Sequence, residues 1–369
     1  MNKKEILYNI LKKYENLPYV FRNMFGHNIS KLVSWKLTAD CATVEENSEV
    51  YAAFQLRSKD MSDVPVMGLV NCCKDVAIVM QGPLCLKDDF SYNTLAYYKK
   101  CYPNALIILS TWKDEDIKAL KRIEDLGVIV ICSEKPEKPG HLNINYQVGN
   151  TLPGIVRAKQ LGAKYVCKTR TDQRIYHPNA MAFFCSLLEQ YPVNNEDDWK
   201  LIQNQRLLLL SMPYGDMFFP YCLSDFLYFG DVDDMINLFS IPSDVREKGA
   251  VSRGVSRREI SENNLAPEVQ LLRSYISRMG GNEECSIRAY WEFVKNHVIT
   301  INKNQIDLYW HKYVGRYSNN TIYGTYYIDD SQDALHCYNF DFINWLNLYT
   351  GKYEYKAKYE KYMDFVWEE

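Results

Sequence analysis

The stretch Tyr165–Tyr176 reads YVCKTRTDQRIY. A strand-like apolar start runs into Lys168, Arg170, Asp172 and Arg174 within seven residues. Ligands in open α/β sheets bind beyond the carboxyl ends of strands, so chemistry is expected at a charged strand end. One carboxylate among three cations suits a site that holds a metal ion and a phosphorylated ligand together. The same alternation also suits a solvated edge of ion pairs. On one continuous strand Arg170, Asp172 and Arg174 would share a side. Either arginine could then grip phosphate bidentately or pair with Asp172.

A literal Asp-x-Asp occurs elsewhere, at Asp231-Val232-Asp233. It also follows an apolar run, but Met235 and Leu238 come next, so Asp231 reads equally as a helix cap. Asp172, placed after three strand–helix alternations, is the better metal candidate. Two acids are candidate general bases for activating a hydroxyl. Asp225 enters the apolar run 226–230, where an acid needs a reason; a hydrogen bond to Ser224 or nearby backbone is the alternative. Glu268 follows Pro267 at a helix start, where the helix dipole alone could account for it. His311, between Trp310 and Lys312, is a candidate metal ligand or phosphate contact, or else a packing residue. Lys312 could assist phosphate binding. Arg157 could face a diphosphate or solvent.

The elements that position these residues alternate between strand and helix. Val76–Met80 is an apolar run ended by Gln81-Gly82-Pro83, where a glycine permits close backbone approach and a proline fixes the turn. A helix is expected over 90–100, a strand over 105–109 running into Thr111, and a helix capped by Asp114. A strand over 128–131 and a helix over 147–161 follow, with Pro153 shifting the helix start. The strand at Tyr165 comes next. This alternation predicts a Rossmann-type, mainly parallel twisted sheet flanked by helices. The loop 133–145 reads as a mobile wall of the site, and the arginine-rich stretch 243–262 as a mobile loop. Further strands are expected at 207–210 and 226–230, and helices at 180–188, from Pro267 to Met279, over 283–298, 339–348 and 353–367. An amphipathic helix over 1–25 opens the chain. The resulting division is a helical or irregular extension (1–70), a catalytic domain (71–320, in halves 71–176 and 177–320) and an aromatic helical extension (321–369).

Composition narrows the classes. The 369 residues suffice for one large domain with additions, and 47% apolar with 24% charged residues is globular. A net charge of -3 gives no basic field for nucleic acid. Eleven cysteines without CxxC spacing suit a reduced intracellular protein. No signal peptide or membrane-spanning run is evident, so a soluble or peripherally attached protein is expected. No Gly-rich phosphate loop or dinucleotide fingerprint occurs, which argues against a P-loop enzyme and against NAD; neither flavin nor haem is expected. The 29 tyrosines suit a core, a sugar-binding surface or a membrane interface.

VAIVMQGP, then PNALIILSTW, then KYVCKTRTDQRIY resemble, in that order, the WavE family of lipopolysaccharide-synthesis glycosyltransferases, with SDFLYFG and APEVQL as later landmarks. The resemblance covers about residues 72–320. It implies a GT-A-like fold and transfer from a nucleotide sugar, with UDP-hexose as the default donor. The implied acceptor is a growing lipopolysaccharide, lipooligosaccharide, capsular or lipid-linked glycan at the cytoplasmic face of a bacterial inner membrane. By similarity to GT-A proteins, Gln81, Gly82 and Pro83 lie against the base or ribose, and Thr111 reaches the same crevice. Lys168, Arg170, Arg174, Arg157 and Lys312 then serve the phosphates, and Asp172 with His311 holds Mn²⁺ or Mg²⁺. The chain departs from the usual DxD by carrying Thr171-Asp172-Gln173. A non-catalytic glycan-binding or assembly protein and a nucleotidyltransferase are the alternatives.

Overall fold

The computed structural model describes residues 73–194, 202–211, 216–249, 254–311 and 338–366, together with Ala42 and Glu46. The chain divides into two compact units, Met1–Ser58 and Lys59–Glu369, and the elements below belong to the second. The helix expected over 1–25, most of the 1–70 extension and Lys312 lie outside the described residues.

The strands are β1 (Val76–Gln81), β2 (Leu106–Trp112), β3 (Ile129–Ser133), β4 (Tyr165–Arg170), β5 (Gln173–Ile175), β6 (Leu207–Leu210), β7 (Tyr228–Asp231), β8 (Val298–Ile301) and β9 (Leu308–Trp310). Seven of them form one sheet in the order β3-β2-β1-β4-β7-β6-β8, and β5 pairs with β9 separately. β1 to β4 are mutually parallel, β6 is parallel to β8, and β7 runs against both β4 and β6. The expected mainly parallel sheet is therefore present, with one reversed strand inside it. Central parallel strands are covered on both faces, which is why β1 is a continuous apolar run, all of it buried.

The helices are α1 (Phe90–Cys101), α2 (Ile117–Glu124), α3 (Ile144–Gln160), α4 (Ala180–Gln190), α5 (Val232–Phe239), α6 (Arg257–Glu262), α7 (Pro267–Arg278), α8 (Ile287–His297) and α9 (Phe342–Tyr349). Among the described residues, no helix is long and apolar enough to cross a membrane. α3 lies against β1 and β2. A Cβ on Gly154 would meet Val79 Cγ1 at 2.5 Å and Ser110 Cβ at 3.0 Å, so this close packing requires glycine. Pro153 does not shift the start of α3, which runs from Ile144 straight through it. A proline inside a helix costs roughly 3 kcal/mol, and burial of Ile155 and Ala158 against the sheet offsets that cost.

Other expectations need correction. Asp116, not Asp114, caps α2, accepting from the N–H groups of Lys118 and Ala119; Asp114 instead pairs with Lys135. The arginine-rich stretch contains α6, fixed by a reciprocal Ser256–Glu259 capping box. β8 begins at Val298, where a helix end was expected. The last expected helix is a 3-10 segment, Ala357–Asp364. The C-terminal region shares the core of the sheet: Phe340, Trp345 and Met363 are fully buried, and Trp345 Nε1 donates to Val298 O at 2.8 Å.

Candidate active site

In-register partners on a parallel sheet point the same way, and successive residues alternate. Val79 pairs with Ile108 on one side and Lys168 on the other, and Gln81 with Ser110 and Arg170. Gln81, Ser110, Lys168 and Arg170 therefore share the face covered by α3, at the carboxyl edge of the sheet. The loop after β1 is tied to the turn after β4. Thr171 N–H donates to Gln81 O at 3.0 Å, and Thr171 Oγ1 donates to Pro83 O at 2.5 Å. Gly82 has φ +118°, and a Cβ there would lie 3.0 Å from Thr171 Oγ1, so a side chain would be both strained and crowded. Thr111 is fully buried with Oγ1 3.3 Å from Glu115 Oε1, and Glu115 also accepts from Leu84 N–H at 3.1 Å. The structure thus makes Thr111 a brace for the Gly82 loop, on the sheet face opposite Lys168.

Arg170 and Asp172 form a side-on pair, Nε to Oδ1 at 2.9 Å and Nη2 to Oδ2 at 3.1 Å. The two side chains are 24% and 15% exposed, so the pair sits at the surface of the crevice rather than beneath it. Trp310 lies 5.2 Å from the guanidinium carbon, and His311 N–H donates to Asp172 O at 2.9 Å. β5 and β9 therefore hold this turn from behind. Arg174 is not in the crevice. Strand β4 ends at Arg170, and the turn at Thr171-Asp172 resets the alternation. Arg174 is buried, donates to Thr94 Oγ1 at 2.9 Å and packs against the rings of Phe90 and Tyr176. The His311 ring stacks on Phe90 at 4.6 Å, a packing position.

Beside this pair lie the acids considered as bases. β7 is antiparallel to β4, with Tyr228 opposite Lys168, so the segment entering β7 begins at the carboxyl edge of β4. That brings Asp225 over Lys168, whose Nζ donates to Asp225 O at 2.5 Å. Gln147 of α3 donates from Nε2 to Asp225 Oδ2 at 2.7 Å. Lys168 is fully buried, and burial pulls its ammonium down to about 8, with the Asp225 charge opposing the fall. Glu268, in the first turn of α7, is enclosed on most sides but keeps part of its surface open. Burial first, and the Asp225 carboxylate second, push its pKa up to about 8, so its carboxyl holds its proton far more tightly than an ordinary glutamate. A carboxyl that keeps its proton can stand beside a second acid without like-charge repulsion.

Two sequence candidates lie at the opposite edge. Arg157 is in the last turn of α3, which starts at the carboxyl edge and ends at the amino edge, and it donates to Gln160 Oε1 at 3.2 Å. A diphosphate contact from there is ruled out by the direction of the helix. Asp231 of the literal Asp-x-Asp pairs in register with Tyr165, the first residue of β4. It caps α5, accepting from Asp233 N–H at 2.9 Å and Asp234 N–H at 3.4 Å, and Asp233 pairs with Lys159.

The donor set at Asp172 fits a divalent cation poorly. Its carboxylate is engaged by Arg170 on both oxygens. The neighbouring Gln173 supplies no charge and is fully buried within β5. Among the described residues, no three His, Cys, Asp or Glu side chains come together as a metal site.

The chain matches the family model for WavE lipopolysaccharide synthesis over residues 76–368. It belongs to that family. No curated protein is recognisably similar to it. Solved structures that resemble it include glucosyl-3-phosphoglycerate synthase from Mycobacterium tuberculosis, 14% identical over 62% of this chain and 69% of that one, TM-score 0.31. Mannose-1-phosphate geranyltransferase from Thermus thermophilus is 11% identical over 62% and 74%, TM-score 0.29. A cytidylyltransferase from Leptospira borgpetersenii is 12% identical over 46% and 65%, TM-score 0.27.

Sequence reasoning missed three parts of this candidate site. Gln147 carries no sequence signal beyond its place one turn before Thr151 on α3. Trp310 was visible only as part of an aromatic cluster. The third is a clasp over the walls of the crevice. Asn145 and Asp244 exchange hydrogen bonds, Nδ2 to Asp244 O and Asp244 N–H to Oδ1, both at 2.8 Å. Arg246 grips Asp244 on both oxygens and reaches Gln270 Oε1 in the first turns of α7 at 2.9 Å. The two loops expected to be mobile are thus pinned to each other and to α7.

Proposed function

We propose that this chain is a glycosyltransferase that moves a sugar from a nucleotide-sugar donor to a growing bacterial surface glycan at the cytoplasmic face of the inner membrane. The observation that carries the reading is the convergence of four parts on the carboxyl edge of one sheet. These are the Gly82 loop, the Arg170 guanidinium, the buried Lys168 and the Asp225–Glu268 acids. Membership of the lipopolysaccharide-synthesis family supports the acceptor class.

Gln81, Gly82 and Pro83 form the wall for the nucleotide, where the bare glycine backbone allows a ring to approach. The acceptor hydroxyl attacks the anomeric carbon. Asp225, oriented by Gln147, takes the hydroxyl proton as the new C–O bond forms. The bond from the anomeric carbon to the diphosphate oxygen breaks, and its electron pair leaves with the diphosphate. The charge gathering there needs fixed positive groups in a poorly solvated setting. Glu268 keeps its proton beside Asp225 and limits the repulsion between the two acids. Attack of this kind inverts the anomeric centre. UDP-hexose is the first donor to try.

Thermal unfolding with a panel of nucleotide sugars tests the reading. A ligand at about 100 times its dissociation constant stabilises by about 2.7 kcal/mol, a shift of several degrees. The expected result is a shift with one donor class, and glycan extension by that donor that is lost in Asp225→Asn. Failure of every nucleotide sugar to raise the melting temperature would contradict it.

A further inference from the structure

We infer that the donor's phosphates are met by the Arg170 guanidinium in place of a divalent cation, and that Asp172 is a positioning residue for that arginine. The inference rests on the transferase reading above and concerns how the leaving group is held.

The electrostatics of the turn are those of a cation clamp. A carboxylate that recruits Mg²⁺ or Mn²⁺ usually does so with other oxygen ligands and a local excess of negative charge. Here the Asp172 carboxylate lies in a side-on pair with Arg170, both contacts at 3.1 Å or less. Lys168, two residues back on the same strand face, adds a second positive charge felt at the same place. A dication arriving at Asp172 would meet an arginine already seated on both oxygens. The positions two residues either side of Asp172, where a DxD would carry its other acid, are the cations Arg170 and Arg174, and the adjacent Gln173 is buried in the β5–β9 pairing.

The arginine, by contrast, is built to receive an anion. Its side chain keeps 24% of its surface open to the crevice. Asp172 fixes it from one side, the Trp310 ring lies against it at 5.2 Å, and the His311 N–H pins the turn that carries Asp172. A guanidinium held in one orientation loses little freedom when phosphate binds, and its fork matches phosphate oxygens in a way that an ammonium cannot. The Gly82 loop, locked to Thr171, sets the nucleotide wall immediately beside it. Asp172 thus acts through Arg170.

The test is binding of UDP, GDP, dTDP, CDP and CMP, and of the donor selected by thermal shift, by calorimetry in EDTA and again with Mn²⁺ or Mg²⁺. The expected result is an affinity in EDTA within about twofold of that with metal. Arg170→Ala should weaken binding by roughly 10–100-fold, and Arg170→Lys by nearly as much, since lysine cannot bind bidentately. Asp172→Asn should weaken binding by a few fold and leave it independent of metal. The asparagine and lysine variants, with wild-type circular dichroism, guard against misfolding of the alanine variant. Binding that appears only with a divalent cation and vanishes in Asp172→Asn would overturn this inference and leave the transferase reading standing, as would wild-type binding by Arg170→Ala in EDTA. No binding by any of these ligands in either buffer would sink both.

Discussion

Strand β4 has acids at both of its ends. At its start, Tyr165 lies opposite Asp231 on β7; towards its finish, Lys168 lies opposite Tyr228, and Asp225 comes three residues before Tyr228 in the chain. The literal Asp-x-Asp falls at the amino edge. There Asp231 caps α5, Asp233 pairs with Lys159, and Asp234 accepts from the N–H groups of Asn204 and Gln205. Every one of these carboxylates is occupied in holding helices and turns. The acids at the carboxyl edge are placed differently. Asp225 and Glu268 stand together over a buried lysine, and burial beside Asp225 drives Glu268 to hold its proton, a cost that a purely structural edge would avoid. The direction of a single strand, β7, separates the two sets. Residue type alone would have chosen the wrong one.

Substitutions can break this contrast. The largest effect is expected from Asp225→Asn, a fall in kcat of about 10²–10⁴-fold, the usual range for losing a general base. A steady-state assay with the selected donor checks it, and a loss below tenfold would place the base elsewhere. Gln147→Leu should lower kcat about tenfold with KM little changed, the equivalent of about 1.4 kcal/mol, because it removes a hydrogen bond to a charged group. An equal rise in KM instead would make Gln147 a binding residue.

Asp244→Asn tests the clasp. Its Arg246 partner holds the Asp244 carboxyl down to about 2, below the unfolded value of about 3.9. A depressed acid contributes stability that is present above the unfolded value and lost as pH falls through the folded one. The variant should lose roughly 1–2 kcal/mol at pH 7, and the gap from wild type should close between about pH 4 and pH 2. Urea titrations across that range measure it, and a gap that stays constant would contradict the assignment. The smallest effect is expected at the amino edge. Asp231→Ala should cost about 1 kcal/mol as a lost cap and leave turnover as in wild type.

The first four strands were legible because parallel strands buried on both faces must be apolar runs ending in turn residues, as Val76–Met80 before Gly82 does. The position of the Gly82 loop and of Arg170 and Asp172 followed from those strand ends. The edge occupied by Asp231 was not legible, since nothing within residues 226–231 states whether the strand runs up or down. Arg174 was misplaced because the side-chain alternation was carried through Thr171-Asp172, where the chain in fact turns and starts a second small sheet with β9. β8 was missed because its four residues follow a helix without a break, and only Val298 was read, as that helix's last residue. The Gln147–Asp225 contact spans 78 residues of sequence and depends on the first turns of α3 meeting the segment that enters β7. No local pattern encodes that.

The most direct measurement is a crystal structure with the nucleoside diphosphate that binds most tightly. The account predicts the nucleotide against Gly82 and Pro83, with its phosphates at the Arg170 guanidinium and the Asp225 carboxylate across the crevice. Phosphates bound instead at Asp231 and Asp233, on the other edge of the sheet, would contradict it.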